Sequence, residues 1–185
     1  MGFALELKRM TAEEFLAWDK TQTVKHEFVR GEVFAMAGAS ERHIAVVGNL
    51  YVALRNHLRG TPCRPLPSEM KLRVEAADCF YYPDLMVTCG EAAAEHQHQK
   101  TDAVLVVEVL SPSTRRFDLM LKRERLQRAG CRHYWVFDPD EPSVLAFTLD
   151  GDVYVESGRA LGDELFSATE PFEISFTLRS LTGQS

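Results

Sequence analysis

The chain has 185 residues, of which 45% are hydrophobic and 26% are charged, a composition typical of a soluble globular protein. No apolar run approaches the roughly 20 residues of a membrane-spanning helix. Charged residues interrupt the N-terminal segment too early for a secretory signal. We therefore expect a single domain over residues 1–185, with its core at about 40–140, in the cytoplasm.

The cysteines give no sign of a metal site. Their positions show no CxxC spacing, and a reducing compartment disfavours disulfides. We expect buried thiols and no structural zinc at the four positions, Cys63, Cys79, Cys89 and Cys131.

Charge is unevenly distributed along the chain, although the net charge is −6. Residues 115–132 hold seven Lys/Arg against two acids, whereas residues 138–185 hold ten Asp/Glu against two arginines. The acidic total argues against general affinity for nucleic acid. The basic segment could contact phosphates or could be an ordinary solvated helix face, and charge alone leaves both interpretations open.

The first predicted elements are a short helix, a hairpin and a long helix. Thr11 and Glu14 have the spacing of a capping box, which begins a helix. Residues 25–36 alternate as a hairpin. Ser40 caps a helix over about 41–59. The buried stripe of this helix is predicted to be Ile44, Val47, Leu50, Tyr51, Leu54 and Leu58.

The second half of the chain is predicted to alternate between strands and one basic helix. The strands and the turn follow from apolar runs bounded by Gly, Pro and Asp. The predicted elements are strands at 67–74, 81–88 and 103–110, a helix at about 115–129, a strand at 133–138 and a hairpin at 143–156. This order indicates a mixed α/β sheet with helices packed on it.

Two acidic residues interrupt strands that are otherwise apolar. Asp84 follows Pro83 in YYPDLMV, and Glu108 lies in the middle of AVLVVEVL. A carboxylate in a buried strand is costly unless a cation pairs with it. Strands that are neighbours in sequence often pair, so the two carboxylates could converge. They could then bind Mg²⁺ or Mn²⁺, or each could form a structural salt bridge.

The basic helix carries a lysine on its predicted buried face. Lys122 shares that face with Leu119, Leu126 and Ala129, at spacings of three and four residues. Its ammonium could extend to the rim of the helix. Alternatively, it could reach the carboxylates, where it would orient or deprotonate an attacking water and stabilise charge on a phosphate.

Several segments together resemble one bacterial family. HEFVRGEVFAMAGAS, PSEMKLRV, YYPDLMVTC, VLVVEVLSPST, FDLMLKRERLQRAG and HYWVFDP occur in an order and spacing similar to the restriction endonuclease (Uma) family of the PD-(D/E)xK nuclease superfamily. The resemblance covers roughly residues 11–180. It implies an α/β fold with a restriction-endonuclease-like mixed β-sheet core flanked by helices, with N-terminal and C-terminal β-hairpin additions.

The resemblance also implies which residues are catalytic. Asp84 and Glu108 correspond to the acidic pair of the superfamily. The usual lysine position, two residues after the glutamate, is Leu110 here. In the Uma family the lysine stands in an Asp-x-x-x-Lys pattern on the following helix, which DLMLK matches with Asp118 and Lys122. Asp118 is thus a candidate accessory residue.

Other positions match the family more loosely. The tyrosine often found four residues after the helical lysine is Leu126 here. Glu27 resembles an early glutamate of the family and is either an accessory ligand or a hairpin salt-bridge partner. His43 is a further accessory candidate, although a lone histidine on a buried stripe is more often a core residue. His96 and His98 resemble a metal clip in a polar loop, where a solvated loop is the better interpretation.

The implied activity is Mg²⁺-dependent hydrolysis of phosphodiester bonds in DNA, with Mn²⁺ expected to substitute and RNA left open. Asp84 and Glu108 would bind the metal with the backbone carbonyl of Val109, and Lys122 would position the water. The arginines expected to contact backbone phosphates are Arg115, Arg116, Arg123 and Arg125.

The alternative is a catalytically inactive module of the same fold that binds nucleic acid or protein. In that case the carboxylates and the lysine would form a buried ion network. A homodimer is also compatible with the sequence, and the β-rich segments 143–149 and 171–178 are the candidate interface.

Overall fold

A computed structural model describes residues 9–36, 38–90 and 99–182. The helices are α1 (Ala12–Asp19), α2 (Glu41–His57), α3 (Arg123–Arg128) and α4 (Leu178–Thr182), with a 3₁₀ turn at Glu75–Ala77 and a π-helix at Phe117–Lys122. None of the helices in these ranges combines the length and the hydrophobicity that a bilayer crossing requires.

The strands come in two groups that correspond to two sheets and a separate pair. Those before the π-helix are β1 (His26–Val29), β2 (Glu32–Ala35), β3 (Cys63–Pro67), β4 (Lys71–Val74), β5 (Cys79–Tyr81), β6 (Leu85–Cys89), β7 (Gln99–Lys100) and β8 (Ala103–Val109). Those after α3 are β9 (His133–Asp138), β10 (Ser143–Asp150), β11 (Val153–Leu161), β12 (Leu165–Ala168) and β13 (Ile174–Thr177).

The central sheet of the described residues is mixed. Its order is β11-β10-β9-β8-β6-β3, and a second sheet has the order β2-β1-β5-β4-β7. β8 pairs antiparallel with β6 and parallel with β9. This architecture confirms the mixed α/β fold that the sequence predicts.

The central strands are apolar along their whole length because both faces of the sheet are covered. Val107 belongs to the core on one face, together with Leu50 and Leu54 of α2. Val106 belongs to the core on the other face, together with Leu126 of α3 and Tyr81 of the second sheet. Buried strands of this kind lack the apolar-polar alternation of a sheet with one solvated face.

Most of the local predictions are confirmed. Thr11 and Glu14 form the capping box of α1. The hairpin between β1 and β2 turns at Arg30 and Gly31, both with positive φ (49° and 91°), a backbone conformation that Gly adopts without strain. Ser40 caps α2 as predicted.

The predicted stripe of α2 is wrong at one position. Ile44 is 61% exposed, whereas Val46, Leu50 and Leu54 are buried. The buried face therefore follows the spacing 46, 50 and 54, and Ile44 lies two residues away from it, about 200° around the helix.

Two predicted strands have different limits. The segment 81–88 is broken at Pro83 and Asp84, so that its two halves belong to different sheets. The segment 67–74 forms a strand only from Lys71. β3 was not predicted, because its two prolines are unfavourable for a strand, but it lies at the sheet edge, where proline is tolerated.

The expectation of four thiols is wrong for one pair. Cys63 on β3 and Cys89 on β6 stand directly opposite each other in the antiparallel register and form a disulfide. Cys79 and Cys131 are free thiols. Register places the first two side chains together, which spacing along the chain does not reveal.

The segments predicted as a dimer interface lie largely inside the protein. Val144, Ala146, Ile174 and Phe176 are buried in the core that also contains α2. These apolar side chains therefore do not form an exposed surface for a second copy.

Candidate active site

Asp84 lies at the break between β5 and β6, opposite Glu108. Leu85 pairs with Val107 in the antiparallel ladder, and extending that register by one residue brings Asp84 opposite Glu108. Directly opposed residues have Cβ atoms about 4.5–5.5 Å apart. The amide of Val109 donates a hydrogen bond of 2.7 Å to Asp84 Oδ2, which fixes the carboxylate at the end of β8.

Lys122 reaches this pair from the last residue of the π-helix. Its side chain is only 3% exposed, so the inward orientation applies and not the extension to the rim. The ammonium lies 2.6 Å from Glu108 Oε1 and 3.1 Å from Glu27 Oε1. It also lies 5.0 Å from the ring centroid of Tyr81, which forms one wall of the site.

Glu27 brings the N-terminal hairpin into the same cluster. Its Oε1 accepts hydrogen bonds from Lys122 Nζ and from the amide of Tyr82, at 3.1 and 3.2 Å. The salt bridge predicted for Glu27 is therefore made with the site lysine and not within the hairpin. Glu27 links β1 to the chain just before Asp84.

His43 lies in the site and not simply in the core. Its Nε2 is 3.1 Å from Asp84 Oδ2, and the two side chains are 12% and 16% exposed. Burial lowers the pKa of His43, but the hydrogen bond and charge of Asp84, together with the Val109 backbone, raise it overall. His43 and Asp84 thus form the more accessible side of a cluster in which Lys122 is enclosed.

The cluster contains more acidic than basic groups. Burial raises the pKa of Glu108 well above its ordinary value; Lys122 opposes this rise, and Asp118, Asp84 and Glu27 add to it. Burial likewise raises the pKa of Asp118. Burial alone would lower the pKa of Lys122, but the surrounding carboxylates raise it well above its ordinary value. Lys122 is therefore a stable ammonium.

The donor set suits a hard divalent cation. Asp84 and Glu108 offer carboxylate oxygens, and Oδ1 of Asp84 makes no hydrogen bond to any described residue. In residues 9–36, 38–90 and 99–182, no three His, Cys, Asp or Glu side chains converge closely enough to hold a metal by themselves. Mg²⁺ needs only one or two carboxylates, with waters and substrate completing its shell. The acidic excess also favours an added cation, so the residues fit.

The four arginines predicted to contact phosphates have different surroundings. Arg115 is ion-paired with Asp138. Arg116 is exposed. The guanidinium groups of the other two lie over aromatic rings, Arg123 5.0 Å from the centroid of Phe147 and Arg125 5.9 Å from that of Phe117. His96 and His98 lie outside the described residues.

Sequence reasoning missed two groups that support the site. The hydroxyl of Tyr134 donates a hydrogen bond of 3.1 Å to the carbonyl of Asp118, which steadies the π-helix. Asp138, at the end of β9, holds Arg115. Tyr134 lies within a uniformly apolar strand and Asp138 at its end, and neither position carries a motif that would have singled it out.

The fold is that of a putative nuclease of known structure, a protein belonging to DUF820 from Anabaena variabilis ATCC 29413. The TM-score is 0.76 over 94% of this chain and 98% of the other, at 17% sequence identity. Residues 12–181 match the family Uma2, described as "Putative restriction endonuclease", and the chain belongs to this family.

Two relatives come from Synechocystis sp. (strain ATCC 27184 / PCC 6803 / Kazusa), and both are described as uncharacterized proteins. One is 36% identical over 110 residues, the other 34% identical over 113 residues. Each alignment covers 60% of this chain, and they cover 58% and 64% of the two relatives. The chain thus spans less than two thirds of their length.

Proposed function

We propose that this protein is a metal-dependent endonuclease that hydrolyses phosphodiester bonds of DNA. The observation that carries the proposal is the position of Lys122, buried against Glu108 at 2.6 Å, with Asp84 opposite Glu108 in the extended register. Membership of a restriction endonuclease family supports a nuclease-type role, and the nuclease-like fold agrees with it.

In this proposal Asp84 and Glu108 hold Mg²⁺, with the carbonyl of Val109 as a third oxygen. The ion would polarise the scissile phosphate and lower the pKa of an attacking water. His43 and the Val109 amide both bind Oδ2 of Asp84, so they orient this carboxylate and leave Oδ1 toward the ion. Such outer partners fix the geometry of ligands in metal sites.

Lys122 acts in this proposal as a donor and an electrostatic group. Because neighbouring carboxylates raise its pKa, the amine keeps its proton and does not serve as a general base. Its ammonium would hold the attacking water by a hydrogen bond and stabilise negative charge that develops on the phosphate. Glu27 and Glu108 fix the direction of this group.

A cleavage assay tests this proposal. Supercoiled plasmid DNA is incubated with the protein and MgCl₂ or MnCl₂, and nicked and linear products are quantified. We expect Glu108→Gln, a near-isosteric change, to slow cleavage about 100-fold or more, the scale of losing one group that stabilises the transition state. Asp152→Asn, at an exposed position of the β10–β11 turn, is the matched control and should cleave like the wild type.

Equal cleavage by Glu108→Gln and the wild type would contradict the assigned roles. Absence of cleavage by the folded wild type with both metals, on plasmid DNA and on single-stranded DNA and RNA, would favour the inactive module. The observation that favours this second candidate is that Lys122 already neutralises two of the buried carboxylates.

A further inference from the structure

Two arginines from different helices are held by one turn at the end of β9. Arg115, just before the π-helix, forms an ion pair with Oδ2 of Asp138. Arg42, in the first turn of α2, donates a hydrogen bond of 3.3 Å to the carbonyl of Pro139 and lies 3.9 Å from Oδ1 of Asp140. Residues 138–140 therefore fix the positions of both guanidinium groups.

This turn lies beside the proposed catalytic centre. Phe137, the residue before the turn, pairs with Val109 in the parallel ladder, and the Val109 amide contacts Asp84. On the other side, Arg42 is followed in sequence by His43, which also contacts Asp84. Ligands of open α/β sheets often bind at the carboxyl ends of parallel strands, where this turn is found.

Asp138 holds Arg115 with little freedom. Its side chain is 6% exposed, and its Oδ1 accepts hydrogen bonds from the amides of Asp140 and Glu141 at 3.0 and 3.2 Å. With that oxygen bound to the backbone, the other oxygen is fixed toward Arg115. A guanidinium has five N–H donors in a rigid fork, so one ion pair leaves donors for a second anion.

The guanidinium groups remain accessible. The side chains of Arg42 and Arg115 are 46% and 42% exposed, whereas Arg123 and Arg125 lie over aromatic rings. The acids that face this surface are Asp138, Asp140 and Glu141. Asp138 is bound as described above, and the exposed side chain of Asp140 is held only by the 3.9 Å contact and can rotate away.

We propose that Arg42 and Arg115 form a phosphate subsite that holds the DNA backbone beside the catalytic centre. This inference rests on the proposed function, because it requires a nucleic-acid strand at the same site. It assigns a role to Arg42 and makes Asp138 a positioning residue for Arg115. Contacts of this kind set the register of the strand without reading its sequence.

The test is the salt dependence of DNA binding in EDTA, where cleavage does not interfere. A fluorescein-labelled 30-base-pair duplex is titrated with each protein at several NaCl concentrations, and fluorescence anisotropy gives the binding constant. Losing one phosphate contact reduces the slope of log K against log [NaCl] by about 0.9. We expect this reduction for Arg42→Ala and for Arg115→Ala.

Matched variants separate the subsite from general charge. Arg55→Ala removes an exposed arginine of α2 about 20 Å from Arg42 along the helix and should leave the slope unchanged. Arg115→Lys should keep the wild-type slope, since it preserves the charge and a partner for Asp138. It therefore serves if Arg115→Ala is unstable, and circular dichroism melting checks the fold of every variant.

Unchanged slopes for Arg42→Ala and Arg115→Ala would overturn the subsite, as would an equal reduction for Arg55→Ala. A wild type that does not bind the duplex would overturn it as well. In that last case the plasmid assay decides separately whether the proposed nuclease fails, because cleavage depends on Glu108 and not on these arginines.

Discussion

The ammonium of Lys122 lies 2.6 Å from a carboxylate oxygen of Glu108, and both side chains are almost completely buried. The same ammonium also serves Glu27, so one cation neutralises two carboxylates that come from different strands. Each of the three groups depends on the others, because an unpaired charge in a protein interior is costly.

Removing this lysine should therefore be severe. We expect Lys122→Met to lower the free energy of unfolding by about 3–5 kcal/mol, since it leaves two buried carboxylates without their cation. Urea unfolding measures the change. Arg128→Ala breaks the exposed ion pair with Glu124 and should cost about 0.5 kcal/mol or less. Similar costs for the two variants would show that Lys122 is not the cation that holds the cluster.

The titration of Asp118 should appear in the pH dependence of stability. Burial raises the pKa of Asp118, and Lys122 offsets this rise only in part. A carboxyl with a raised pKa in the folded state binds its proton more tightly there than in the unfolded state. Its contribution to stability is therefore present below the unfolded-state pKa, about 3.9, and is lost as the pH rises through the raised value.

Asp118→Asn removes this titration. We expect the stability of the variant, relative to the wild type, to increase as the pH rises from about 4 toward neutrality. Urea unfolding at a series of pH values measures the difference. Asp152→Asn, at an exposed position, should show a constant difference over the same range. A difference for Asp118→Asn that falls with rising pH would contradict the sign.

His43 should influence metal binding through Asp84. It contacts the carboxylate oxygen that faces away from the proposed ion, and losing such an outer partner typically costs 10–100-fold in metal affinity. We expect His43→Ala to weaken Mn²⁺ binding by about that factor. His57→Ala, at the exposed far end of α2, should bind like the wild type. An unchanged affinity for His43→Ala would remove His43 from the site.

The disulfide between Cys63 and Cys89 should contribute measurably to stability. It closes a loop with a sequence separation of 26, for which chain-entropy arguments give about 3 kcal/mol. We expect a reductant to lower the free energy of unfolding by roughly that amount, and Cys63→Ser to abolish the response to reductant. Thiol titration in denaturant checks the pairing directly. Four reactive thiols before reduction would contradict the bond, because only Cys79 and Cys131 are free.

The sequence predicts those parts of the site that follow from local periodicity. Spacings of three and four residues turn Lys122 inward with Leu126, and the structure buries both. The apolar runs around Asp84 and Glu108 identify the strands that bring them together. These features depend on residues that are close in the chain, where helix and strand periods apply directly.

The remaining parts depend on contacts between distant segments. His43 meets Asp84 across 41 residues, and Lys122 meets Glu27 across 95 residues. Neither distance leaves a periodic trace in the sequence. The disulfide follows from the register of β3, a strand whose prolines conceal it. Tertiary placement therefore decides which of several plausible polar residues actually meet.

The measurement that tests the central claim most directly is calorimetric titration of Mn²⁺ into the wild type, Asp84→Asn and Glu108→Gln, because it requires no assumption about the substrate. Asp152→Asn is the control. The account predicts binding by the wild type and the control, with loss of binding in both site variants. No binding by a folded wild type, or equal binding by all four proteins, would contradict a metal site at Asp84 and Glu108.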